Sequence, residues 1–280
     1  MRIQRIASKW QKTQILLQGP HLQVYIPETQ KFSLENLNTM IHKYGLVYIK
    51  PDRGTYGQGV MSAEYNGPLT SDTSPQAEPQ VPQIQEPSPL PPSYKHRYGV
   101  QTQTYLSIDE LYAVLIHKIQ GREYLIQQGI DMLTYQRRKF DLRVLVQKNL
   151  KGEWETTGYI GRVAAHQKII TNHHGGGTAL PIEHLLGPHM NERQLQLMIQ
   201  ELRQIGTLVG YQLQSAYPRL KELGLDVAVD AGFKAWILEV NTLPALFPFK
   251  ELKDKNIYKR IRKYAIHYGR FSRSRSASFR

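Results

Sequence analysis

Short apolar runs and alternating apolar-polar runs recur along this 280-residue chain and predict a series of strands. One is Leu46-Val-Tyr-Ile-Lys50-Pro51, and the next is Gly59–Tyr65. Tyr98–Tyr105 alternates in the same way, and Arg122–Ile130 returns as a strand that runs into Gly129. Further strands are predicted over 140–147, 156–164, 226–229 and 236–241. A different rhythm governs 192–213, where Leu195, Met198, Leu202, Ile205, Leu208 and Val209 keep the three-and-four spacing of a buried helix face. Ser107-Ile-Asp-Glu110 is a capping box that opens a second amphipathic helix, running to about Gln120 and closed by Gly121. Helices separated by antiparallel hairpins, without strict strand-helix alternation, predict an α+β fold.

The pattern lapses between Asn66 and Arg97, which holds half of the sixteen prolines among Gln, Ser and Glu. Such a stretch buries too little apolar surface to fold, so it is expected to be an extended insertion at the tip of a hairpin. Cysteine is absent, which excludes disulfides, thiolate metal sites and a cysteine nucleophile, and suits a cytoplasmic setting. Met1–Trp10 has no apolar core of secretory length, and no stretch approaches the roughly 20 apolar residues of a membrane span. Export or insertion is not expected. The net charge of +13 is concentrated at the end: 250–280 holds eleven Lys or Arg against Glu251 and Asp254. A tail of this kind attracts nucleic acid, an anionic membrane surface or an acidic partner, or simply stays solvated.

Candidate chemistry begins at Trp236-Ile-Leu-Glu239-Val-Asn241, where two hard oxygen ligands share one strand face in the manner suited to Mg²⁺ and nucleotide phosphates. Asp226 opens a strand thirteen residues earlier, a separation that a hairpin through Ala231-Gly232 closes. Lys50 at a strand end, with Gly54, Gly57 and Gly59 after it, provides a point charge and a permissive backbone for phosphate oxygens, although the spacing is not that of a P-loop. Asp141 and Arg143 share a strand face and can pair with each other or with ligand, and Arg162 on the next strand suits a developing phosphate or oxyanion charge. Gln127–Ile130 is read as a strand edge offering main-chain groups to an adenine ring. Asn172-His173-His174 and three glycines form poor zinc evidence, since spaced third and fourth ligands are lacking. A loop covering nucleotide or substrate is the preferred reading there.

In content and order these motifs resemble the ATP-grasp superfamily over nearly the whole chain. Tyr48-Ile-Lys-Pro, Tyr124-Leu-Ile-Gln-Gln-Gly-Ile, Phe140-Asp-Leu-Arg-Val-Leu-Val-Gln-Lys-Asn and Trp236-Ile-Leu-Glu-Val-Asn look most like the endospore coat-associated YheC/YheD proteins. The resemblance implies two α+β subdomains gripping ATP. Lys50 would contact ATP phosphates, Gly54, Gly57 and Gly59 would form the lid, and main-chain groups of Gln127, Gln128, Gly129 and Ile130 would hold adenine. Lys9, or alternatively Lys12, would be the second ATP lysine. Asp226, Glu239 and Asn241 would bind Mg²⁺, with Arg162, Arg143 and Asn172 as catalytic candidates. The implied activity is a carboxylate ligase working through an acylphosphate. The alternative is a catalytically silent nucleotide-binding scaffold at the spore coat, with an acidic or coat-protein partner for the basic C-terminus. Nucleic acid ranks last because no binding module is recognisable. The expected domain spans 1–265, lacks a full N-terminal substrate domain, carries the insertion at about 66–97, and is followed by a basic tail over 266–280.

Overall fold

The computed structural model describes residues 3–55, 57–69, 91–165 and 178–271. α1 (Lys9–Leu17) starts at Ser8, whose hydroxyl accepts from the Gln11 N–H. β1 (Thr29–Lys31), α2 (Leu34–Tyr44), β2 (Leu46–Pro51), β3 (Met61–Asn66), β4 (Ser93–Tyr98) and β5 (Gln101–Tyr105) follow. Next come α3 (Ile108–Ile119), β6 (Tyr124–Gln128), β7 (Thr134–Tyr135), β8 (Arg138–Lys148), β9 (Trp154–Val163) and β10 (Thr178–Leu180). α4 (Ile182–Leu186), α5 (Glu192–Ala216), β11 (Glu222–Val229), β12 (Ala235–Asn241) and α6 (Lys255–His267) complete the order. Two compact units result: Met1–Pro27, Arg53–Tyr56 and Ile130–Arg280 form the first, and Glu28–Asp52 with Gly57–Gly129 form the second.

In the second unit six antiparallel strands run in the order β1-β6-β2-β3-β4-β5. Leu37, Met40 and Ile41 of α2 join Leu111, Leu115 and Ile119 of α3 in a core over Val47, Ile49 and Ile126. Each such side chain contributes about 1.5–3 kcal/mol by leaving water. Ser107 caps α3 through the Glu110 N–H as the sequence predicts, while the Glu110 carboxylate turns to the N–H of Leu106. β3 and β4 form a hairpin in which Asn66 faces Ser93. The insertion expected over 66–97 is therefore too long at its C-terminal side: Ser93–Arg97 belong to β4, and its middle, 70–90, lies outside the described residues.

In the first unit the strand order is β10-β9-β8-β11-β12, with β7 paired to β8. Phe140, Leu142, Val144 and Val146 of β8 pack on one face against Met198, Leu202, Ile205, Val209 and Leu213 of α5. Leu208, expected on that buried face, is 39% exposed, because the stripe continues from Val209 to Leu213. The opposite face is divided along its length. At one end Leu145 and Ile160 are covered by Phe249, Ile261 and Ala265. Beyond α6 the chain stays attached, since the Tyr268 hydroxyl donates to Glu222 at 2.8 Å and Arg270 pairs with the same fully buried carboxylate at 2.5 Å. The tail expected from 266 is corrected accordingly: Ile266–Arg270 is folded, and 272–280 lies outside the described residues.

Candidate functional site

The other end of the same sheet face carries charge. Asp141 of β8 lies opposite Arg162 of β9, Arg143 lies opposite Asp226 of β11, and Asp226 lies opposite Glu239 of β12. Alternation along β8 and β12 keeps Asp141 with Arg143, and Glu239 with Asn241, on one side. Register thus brings side chains more than eighty residues apart into one row.

Arg162 grips Asp141 with two donors, Nε to Oδ1 at 2.8 Å and Nη2 to Oδ2 at 2.5 Å, and its Nη2 lies 3.0 Å from Asp226 Oδ2. The fork geometry of a guanidinium matches a carboxylate in this way, and a lysine would not. Arg143 Nε donates to Asp226 Oδ1 at 2.6 Å, and Asn241 Nδ2 approaches Oδ2 at 3.4 Å. Gly224 makes room for Arg143, because a Cβ there would meet the Arg143 Cδ at 3.1 Å and the Pro244 Cβ at 2.6 Å. Burial alone would raise the Asp226 carboxyl, but Arg143 and Arg162 outweigh it and hold the group below the usual carboxylate range. Burial opposes charge on Arg162 as well, and Asp141 and Asp226 overcome that to keep it cationic.

Lys9 Nζ stands 3.7 Å from Glu239 Oε1 and donates to the Gly54 carbonyl at 3.2 Å. Of the expected phosphate-side residues, Lys9, Arg143, Arg162, Asp226, Glu239 and Asn241 are therefore brought together in the first unit. Lys12 is buried on α1. Lys50 is in the second unit, where its amine donates to Gln127 Oε1 at 2.5 Å. Gly57 and Gly59 connect β2 to β3 with φ of 70° and 76°, a left-handed backbone that suits glycine.

β6 lies between β1 and β2, so Gln127 and Gln128 are not at a sheet edge. The Gln128 N–H donates to Glu28 O and the Gly129 N–H to Leu46 O, both at 2.8 Å. Gly129 is needed for that approach, since a Cβ would lie 2.3 Å from Leu46 Cγ. Ile130 packs with Met132 and Ala228 in the first unit. Asn172, with the adjoining histidines and glycines, lies outside the described residues.

Among the described residues no group of three or more His, Cys, Asp or Glu is arranged to hold a metal. The charged row instead offers two carboxylates and an amide, Asp226, Glu239 and Asn241, all hard oxygen donors of the kind Mg²⁺ takes. They fit that ion in chemistry, with Asp226 also serving the two arginines.

A family profile described as "YheC/D like ATP-grasp" matches residues 3–271. The chain belongs to this ATP-grasp family. Two relatives from Bacillus subtilis (strain 168) are similar to it. The endospore coat-associated protein YheC is 25% identical over 240 residues, which is 85% of this chain and 60% of YheC. The endospore coat-associated protein YheD is 24% identical over 243 residues, which is 85% of this chain and 48% of YheD. The chain thus spans about half to three fifths of the length of these relatives. Within this ATP-grasp chain the α+β architecture agrees with the sequence reading. Asp141, expected to pair with Arg143 or with ligand, pairs with Arg162 instead.

Proposed function

We propose that this chain binds ATP together with Mg²⁺ and uses it to activate a carboxylate for ligation. The observation that carries the reading is the row in which Arg143, Arg162, Asp226, Glu239 and Asn241 share one sheet face in an ATP-grasp chain. A buried ion network adds little stability, because desolvation offsets its Coulomb attraction, so its presence is better accounted for by work on a charged ligand.

In the proposed reaction a substrate carboxylate oxygen bonds the γ-phosphorus of ATP as the bond to the bridging oxygen breaks, giving ADP and an acylphosphate. An amine nitrogen then bonds the acyl carbon, phosphate leaves with the oxygen it carried, and the amine proton passes to solvent. Arg162 and Arg143 stabilise charge on the transferring phosphoryl group by donors fixed in advance by Asp141 and Asp226. Lys9 and Lys50 serve the phosphates as point charges. Asp226, Glu239 and Asn241 would hold Mg²⁺, which when bound neutralises phosphate charge. Main-chain groups of Gln127 to Ile130 would hold adenine, the Gln128 and Gly129 N–H groups excepted because they are already engaged.

Calorimetry with and without Mg²⁺, followed by an ADP-release assay over a panel of carboxylates and amines, tests the reading. Glu239→Gln should weaken Mg²⁺-dependent ATP binding by about tenfold or more, ~1.4 kcal/mol. Absence of ATP binding by the unaltered chain rejects the proposal. ATP binding without ADP release over the panel supports the second reading, a nucleotide-binding scaffold. That alternative is favoured by the mutual neutralisation of Arg143, Arg162, Asp141 and Asp226.

A further inference from the structure

α6 holds five cations, Lys255, Lys259, Arg260, Arg262 and Lys263, and no acidic residue. Its Ile261 and Ala265 are buried on the sheet. Lys255, Lys259 and Lys263 recur every four residues on the opposite, exposed side, with Arg262 beside them. Arg260 is engaged, lying 3.6 Å from Glu155 and donating to the Thr157 carbonyl at 3.0 Å. Lys255 donates to the Lys250 carbonyl at 2.8 Å. Lys259, Arg262 and Lys263 have no hydrogen bond or ion pair with any of the described residues. Asp254 is used as the N-cap, accepting from the Asn256 N–H. This arrangement works against the helix alone, since like charges four residues apart repel and Lys255 sits at the positive end of the helix dipole.

We propose that this stripe docks an acidic protein segment whose carboxylates recur every three or four residues. Consecutive lysines of the stripe are about 6 Å apart along the axis, the same rise as glutamates four apart on a partner helix. Single-stranded nucleic acid is bound by stacking bases on exposed rings. Here Tyr258 packs with the Phe249 cluster, and the Tyr264 hydroxyl donates to Glu155 at 2.9 Å. A bilayer-bound helix needs large apolar side chains beside its cations, and none on α6 is exposed. The stripe is also mostly lysine, a point-charge donor, where bidentate phosphate recognition favours arginine.

The test uses the full chain and four labelled probes in fluorescence anisotropy or sedimentation: a 20-residue polyglutamate, single-stranded DNA, duplex DNA and phosphatidylserine vesicles. Polyglutamate should bind and weaken about tenfold or more between 50 and 200 mM salt, as screening predicts. The triple variant Lys259→Glu, Arg262→Glu, Lys263→Glu should lose at least about thirtyfold in affinity while melting at the same or a higher temperature, because it also relieves repulsion. Removing Ser272–Arg280 should leave most of the binding. The proposal is overturned by any of four results: no polyglutamate binding, full retention by the triple variant, loss on tail removal alone, or tighter binding of DNA or vesicles at equal charge.

Discussion

Asp226 accepts from two arginines while almost wholly buried, so its removal strands their charge. Asp226→Asn should cost about 3–5 kcal/mol in chemical denaturation, the usual consequence of breaking one side of a buried pair. Its carboxyl is depressed in the folded state, so the stability it contributes is present above the unfolded value of 3.8 and disappears as pH falls through the lower folded one. His96 works at a milder acidity. It is 2% exposed, its Nε2 has no hydrogen-bond partner among the described residues, and burial, with Lys118 of α3 adding to it, lowers its pKa to about 4. Since the unfolded imidazole takes a proton near its ordinary 6.5, stability should fall as pH drops from 6.5 toward 4. Melting curves of His96→Phe should lack that decline. At this scale the sequence was partly legible: alternation put Asp141 and Arg143 on one charged strand face, with Arg162 on the next strand. Which carboxylate meets which guanidinium was not, because partners are chosen by register, and Asp141 takes Arg162 while Arg143 takes Asp226.

Among the elements, α6 and the residues after it form a cover held at Glu222. Arg270→Ala leaves that buried carboxylate with the Tyr268 hydroxyl and the loss should approach about 3 kcal/mol. Burial already raises the Glu222 carboxyl, with Arg270 and Tyr268 pulling it back, so without Arg270 it rises further. A group that holds its proton more tightly when folded loses stability as pH rises, and the defect should be larger at pH 8 than at pH 5 in thermal melts. α6 was not legible as a helix because its cations dominate, although Ile257, Ile261 and Ala265 keep a four-residue spacing beneath them. α2 carries Ser33 as N-cap and Leu37, Met40 and Ile41 on one face, a pattern of the same kind. The strands were clearer. The expected 140–147 became Arg138–Lys148 and the expected 236–241 became Ala235–Asn241, since alternation marks a strand's middle better than its ends.

For the molecule as a whole, the prolines interrupt one hairpin and leave the sheet order intact, with Asn66 opposite Ser93. Deleting residues 70–90 should preserve folding and raise stability by roughly 1 kcal/mol, because each halving of a loop saves about 0.6 kcal/mol of closure entropy. Urea titration of the deletion variant measures it, and a collapse of the transition would refute it. The α+β class was legible from hairpins and helices, and two subdomains from the resemblance, whereas the bounds of the two units were not, since segments 28–52 and 57–129 return to one sheet across a short excursion at 53–56. The charged end of the first unit's sheet also governs how its strands can assemble. Neighbours on a strand face opposite ways, so sliding β8 by a single position would thrust Asp141 and Arg143 into the oily layer under α5 and expel Phe140 and Leu142. The polar row is thus a built-in proofreader of strand alignment, since a slipped pairing would bury its charges in the apolar layer.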